Sequence, residues 1–149
     1  MGWKSVVAYL LACYSEEPAP RRLRYAVKIF LETLIQIRES EVRPPSWRET
    51  KTRAELFAWG EANGVPLRAC ERDPKVWGRH VWRLLLRLAR FFSQDKKHLF
   101  WALLLMLGPL LPCDDCRKSY RALLDRPRWW RVSSSKAYTK YIEHMRANV

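Results

Sequence analysis

Residues 21–37 read RRLRYAVKIFLETLIQI, and the fold class follows from how that stretch is spaced. Leu23, Val27, Phe30, Leu31, Leu34, Ile35 and Ile37 recur at three- and four-residue steps, with Arg24, Lys28, Glu32 and Arg38 between them. At 3.6 residues per turn this makes one apolar stripe for a core and a charged back for water. The stripe is expected to run to Glu41 and to end at Pro44-Pro45, because proline removes a donor and restricts its predecessor. Working outward, Trp3 to Tyr14 suits a short helix that Glu16-Glu17-Pro18-Ala19-Pro20 breaks. Ser46, Thr50 or Thr52 can cap a third helix through Leu56, Phe57 and Trp59, closed by Asn63-Gly64, and a linker from Val65 to Pro74 follows.

Beyond Pro74 the apolar content rises. Trp77, Trp82, Leu84, Leu85, Leu88 and Phe91 or Phe92 suit a helix to about Ser93. Ser93 or Asp95 can start the next, through Phe100, Leu103, Leu104 and Leu107 to Gly108-Pro109. These two are expected to pair as an antiparallel hairpin. Pro112 to Cys116 opens a further helix through Tyr120 and Leu124, and Ser133 to Ser135 cap a last one with Tyr138, Tyr141, Ile142 and Met145. The expected fold is all-α, with an N-terminal helical accessory segment over 1–70 and a four-helix unit over 71–149. Only five glycines and many straight-chain residues, which lose little rotamer freedom in helices, agree with this.

The 149 residues, 48% of them hydrophobic, suffice for a core without a disulfide framework. A formal charge of +13 attracts polyanions, so nucleic acid has to be considered. The basic residues are spread from Arg21 to Arg146 without a contiguous tract or base-reading motif, which favours a solvated basic surface over specific nucleic-acid binding. The apolar run from Val6 to Cys13 echoes a signal peptide weakly, and an amphipathic first helix fits better because no A-x-A site follows. Ser5 lies one residue early for myristoylation at Gly2. No apolar stretch reaches the ~18 residues a membrane span needs.

Four cysteines are too few for a disulfide-dense scaffold, and Cys113-Asp114-Asp115-Cys116 is a C-x-x-C pair. Pro112 before it and two aspartates within it mark a helix N-terminus, whose dipole favours a thiolate. In such a motif the second thiol is placed to resolve mixed disulfides. Asp114 and Asp115 oppose thiolate formation while Arg117 and Lys118 assist it. Structural zinc needs two more ligands, and His80, His98 and His144 are scattered, so no metal site is expected. Two buried structural cysteines on one helix remain an alternative. Cys13 and Cys70 are read first as buried free thiols, and otherwise as inert or as a shuttle of electrons to Cys113 of another subunit.

The company of the pair sharpens the reading. Trp77-Gly78-Arg79-His80-Val81-Trp82-Arg83-Leu84-Leu85, then a further helix, then Leu111-Pro112-Cys113-Asp114-Asp115-Cys116-Arg117-Lys118 resembles the Erv/ALR family of FAD-linked sulfhydryl oxidases. The likeness spans roughly 70–149 and is nearest to the short members of large cytoplasmic DNA viruses of the poxvirus and iridovirus type. It implies a four-helix bundle holding FAD, a homodimer, a protein dithiol substrate such as a thioredoxin-like protein, and a cytoplasmic or virion location. It further implies that Cys116 lies beside the flavin while Cys113 exchanges with substrate, oxygen being reduced to hydrogen peroxide. Trp77, Gly78, Arg79 and Trp82 match positions that shape the FAD pocket, and His144 and Asn148 match part of a later H-N-x-x-N element.

The sequence departs from that pattern in places. Leu86 stands where many cellular members carry a cofactor-contacting histidine, and Met145 replaces the intervening asparagine. Some of the phosphate contacts that those members make beyond this point are expected either to come from elsewhere or to be missing. The competing reading is a non-catalytic or flavin-free helical adaptor with a basic partner-binding surface.

Overall fold

The computed structural model describes residues 2–14, 20–66, 68–124 and 128–149, and every regular element among them is helical. These are α1 (Trp3–Leu11), α2 (Arg21–Ile37), α3 (Arg53–Ala62), α4 (Pro74–Arg87), α5 (Lys97–Leu110), α6 (Asp114–Leu124) and α7 (Ser135–Asn148). Short 3₁₀ turns lie at Trp47–Thr50, Leu88–Phe91 and Trp129–Arg131. The all-α expectation holds. The break expected at Glu16 to Ala19 lies outside the described residues.

The helix starts obey local chemistry. Thr52 accepts the Glu55 N–H at 3.1 Å, Asp73 accepts the Lys75 N–H at 2.9 Å with Pro74 in the first turn, and Ser134 accepts the Ala137 N–H at 3.1 Å. Two ends differ from expectation. Helix α2 stops at Ile37, ahead of Pro44-Pro45, because Glu39 adopts φ 53°. The Ser40 N–H then reaches the Ile35 carbonyl and the Glu39 N–H that of Gln36, a Schellman closure without the usual glycine. Glu39 also meets Lys96 at 2.7 Å. At the other end, Gly108-Pro109 does not stop α5, which runs on to Leu110. Gly108 serves packing instead: a Cβ there would stand 3.3 Å from the Tyr120 ring.

One continuous apolar core runs from Val6 to Met145. The expected hairpin of α4 with α5 does not form as the main pairing. Helix α5 packs most extensively on α2, while α4 lies against α1 and α7, and α6 against α5 and α7. The reason is that α5 is apolar around most of its circumference and needs cover on several sides, which the α2 stripe supplies through Val27, Phe30, Leu31 and Leu34. Buried phenols cross-link the rest. Tyr138 of α7 donates to the Leu85 carbonyl of α4 at 2.7 Å, and Tyr120 of α6 donates to the Leu104 carbonyl of α5. An aromatic cluster of Phe92, Phe100, Trp101, Trp129, Tyr138 and Tyr141 closes that end.

Cys13 and Cys70 are not free. They form a disulfide across 57 residues that joins the chain just after α1 to the segment leading into α4. The expectation of free thiols fails because contact between distant cysteines is set by the fold and not by their spacing. No helix among the described residues is long and apolar enough to cross a membrane.

Two stability outcomes follow. Replacing both Cys13 and Cys70 by alanine should cost ~2–4 kcal/mol in chemical denaturation, through the freed entropy of the unfolded chain. Tyr138→Phe should cost about 1 kcal/mol, the usual net worth of one hydrogen bond, read from the same denaturation curves.

Candidate functional site

Helix α6 begins immediately after Cys113. The Arg117 N–H closes the first turn on the Cys113 carbonyl at 3.0 Å, and the Cys116 N–H points at the Cys113 Sγ at 3.2 Å. The Cys113 sulfur thus takes the place that a serine or aspartate oxygen fills at an ordinary N-cap, on the positive end of the helix dipole. Arg117 holds this corner: its guanidinium pairs with Asp114 and donates to the Leu111 carbonyl. Both thiols are free and half-buried. Burial pushes Cys116 up to about 11, helped by the neighbouring Cys113 sulfur and by the Asp115 carboxylate.

Cys116 lines a cleft of about 330 Å³, whose other walls include Trp77, Gly78 and Trp82 from α4, Leu107 from α5 and Arg146 from α7. Trp77 is buried, and its indole Nε1 has no hydrogen-bond partner. A Cβ built on Gly78 would meet nothing within 4 Å, so the cleft floor is open there. Arg79 stands exposed at the rim, its Nε donating to the Lys75 carbonyl at 3.3 Å. A second hollow of about 330 Å³ adjoins the first through Arg79 and Arg146 and is otherwise bounded by Arg83, Leu86 and Arg87.

The structure therefore brings Cys116, Trp77, Gly78, Arg79 and Trp82 around one cleft, with Cys113 one helical turn away outside its lining. It does not bring His144 and Asn148 there. Both are exposed on α7, where the Asn148 side chain donates to the His144 carbonyl at 2.8 Å, and Arg146 and Val149 face the cleft instead. Sequence reasoning missed Arg146, and it missed the basic hollow. The signal was present, since Arg79, Arg83 and Arg87 recur at four-residue steps and must share one face of a helix. Among the described residues, no three of His, Cys, Asp and Glu gather as metal ligands would.

No protein-family model, curated protein or solved structure matches this chain. A sulfur pair one turn apart at a helix N-terminus can alternate between dithiol and disulfide, and a flat-walled cleft beside one sulfur can hold a planar ligand against it.

The asymmetry of the two thiols is directly testable. Only thiolate reacts with iodoacetamide, and the raised pKa of Cys116 keeps it protonated until the pH nears 11. In the reduced protein near neutral pH, peptide mass spectrometry should find Cys113 alkylated well before Cys116. Labelling of Cys116 should climb as the pH rises toward that value.

Proposed function

We propose that this chain is an FAD-dependent thiol oxidase of the Erv/ALR type, with α4 to α7 as its flavin-holding four-helix unit. The observation that carries the reading is that Cys116 shares its cleft with Trp77, Gly78 and Trp82, the residues that the resemblance had placed around the flavin. The cleft fits that group in kind. It has indole walls for a ring system, an indole N–H without an acceptor, and an open floor at Gly78. Its volume suits the ring end, and Arg79, Arg83, Arg87 and Arg146 bounding the adjoining hollow would hold the phosphates, guanidinium forks matching phosphate oxygens. These arginines would supply the phosphate contacts that the resemblance left unassigned.

The sulfur chemistry follows from the positions. A substrate thiolate attacks Cys113, the sulfur outside the cleft lining; the Cys113–Cys116 bond breaks and the electron pair stays on Cys116. The second substrate thiol then attacks the mixed disulfide, releasing the substrate as a disulfide and Cys113 as the leaving sulfur, which the Cys116 N–H and the helix dipole steady. Burial raises the pKa of Cys116, so the electron pair left there is held as a protonated thiol, and its onward reaction requires loss of that proton. Bound FAD supplies the two-electron acceptor that passes the pair to oxygen. In sum a dithiol and oxygen give a disulfide and hydrogen peroxide, with two electrons and two protons transferred. We assign a protein dithiol, of which a thioredoxin-like protein is one kind, as substrate, a homodimer as the working form and the cytoplasm as the site of action, all on the resemblance.

The test is the visible spectrum and the oxygen consumption of the purified protein. Flavin bands that stay with the folded chain, and oxygen uptake with dithiothreitol, are expected. Cys116→Ser should retain flavin and lose oxygen uptake by at least about a hundredfold, as expected when a reacting group is removed. Gly78→Leu should keep the helical circular dichroism spectrum and lose flavin, since its side chain enters open space. A colourless protein that takes up no added FAD would sink the reading and favour the adaptor.

A further inference from the structure

A different face of α4 closes a separate cavity of about 450 Å³ against Gly2 and Trp3 at the start of α1 and Arg38 at the end of α2. Arg38, Arg83, Arg87 and Arg90 all line it, together with His80, and none of its described lining residues is acidic. No ion pair among the described residues engages Arg38, Arg83 or Arg90. Arg38 and Arg90 instead crowd the same ring: their guanidinium carbons lie 5.5 and 4.7 Å from the centroid of Phe91, and Arg38 is also 5.8 Å from that of Trp3. Burial and the Arg90 charge together push the Arg38 pKa down, so the two like charges repel where they stand.

His80 adds a second kind of donor. Its ring stacks on Tyr9 at 5.3 Å, and its buried Nδ1 has no partner. Burial first, and then the charges of Arg83, Arg79 and Arg68, hold its pKa below the ordinary histidine value. A neutral imidazole in this setting can offer one N–H without adding a further positive charge.

Like charges gathered around a partly enclosed space focus the field into it, and one polyanion there turns mutual repulsion into shared attraction. Guanidinium forks match phosphate oxygens two at a time. Arg83, Arg87 and Arg90 follow one another along α4 and the turn that continues it, and Arg38 comes in from the end of α2 to close a hollow with them, which favours a compact anion over an extended nucleic-acid backbone. We propose that this cavity binds an oligophosphate of nucleotide size, its phosphates held by Arg38, Arg83 and Arg90 and its remaining bulk lying toward Trp3. The site is distinct from the Cys116 cleft, although Arg83 and Arg87 also bound the hollow beside that cleft. Arg38 and Arg90 belong to this cavity alone and are the residues to change.

The test is isothermal titration of the full-length protein, carrying its flavin if it retains one, with ATP and separately with inorganic tripolyphosphate. Both are expected to bind, with ATP tighter if the organic end uses the Trp3 side and equal to tripolyphosphate if the phosphates alone are recognised. The double variant R38Q/R90Q should bind either on the order of tenfold more weakly, with its flavin spectrum and thiol alkylation unchanged. Should that variant not fold, the wild-type protein still decides the matter. Tripolyphosphate should raise its melting temperature beyond what sodium chloride of equal ionic strength does, since a ligand of the native state stabilises it. Binding unaffected by the double substitution would overturn the proposal, as would no heat and no thermal shift with either anion. Tight binding of a duplex DNA fragment by a protein that ignores tripolyphosphate would also overturn it.

Discussion

The arrangement of this protein depends on two phenol hydroxyls that have no water to turn to. Tyr120 and Tyr138 are fully buried, and each donates to a main-chain carbonyl of another helix, Leu104 in α5 and Leu85 in α4. A buried hydroxyl without an acceptor would carry its full desolvation penalty, so each bond fixes the height at which one helix meets the next. Through Tyr120 the helix bearing the cysteine pair is set against α5, and through Tyr138 the helix bearing Arg146 is set against the one bearing Trp77 and Gly78. The cleft beside Cys116 is the space left where these two settings meet. Desolvation raises the pKa of both phenols, so these donors keep their protons throughout the range in which thiols titrate.

The main helices and most of their caps were legible because they depend on neighbours in sequence. Three- and four-residue apolar steps, threonine at 52 and serine at 134 state their roles locally. What was not legible depends on distance. Helix α5 is apolar around most of its surface, so periodicity could not say which helix would cover it, and the answer was α2. Glu39 ends α2 in a left-handed conformation that glycine would normally announce. Cys13 and Cys70 lie 57 residues apart and meet only because α1 returns beside the start of α4.

The candidate site divides along the same line. The C-x-x-C motif carries its chemistry within a few residues and was readable by itself, whereas Trp77, Gly78 and Trp82 were singled out only by the resemblance. The arginines were hidden by being read as dispersed charge: a count of 28 basic residues says nothing about which of them share a helix face. The resemblance drew attention on α7 to His144 and Asn148, whose four-residue spacing does put them on one side of the helix. That side faces solvent; Met145 between them is the buried residue of the turn, and Arg146, though exposed, borders the cleft. Period alone assigns residues to a face without saying which face is turned inward.

The Cys13–Cys70 bond makes the chain between them a covalent ring that contains α2 and α3, with α1 and the long C-terminal stretch leaving it side by side. A single peptide cleavage inside that ring opens it without separating the halves, so α2 can stay seated on α5 after the backbone is cut. The wall that α1 lends to the arginine-lined cavity is likewise anchored from its far end. The first helix can fray at Trp3 without drifting away from α4. Mechanical linkage and local order are thus uncoupled in the N-terminal part of this molecule, and a nicked form would separate in two only under reducing, denaturing conditions.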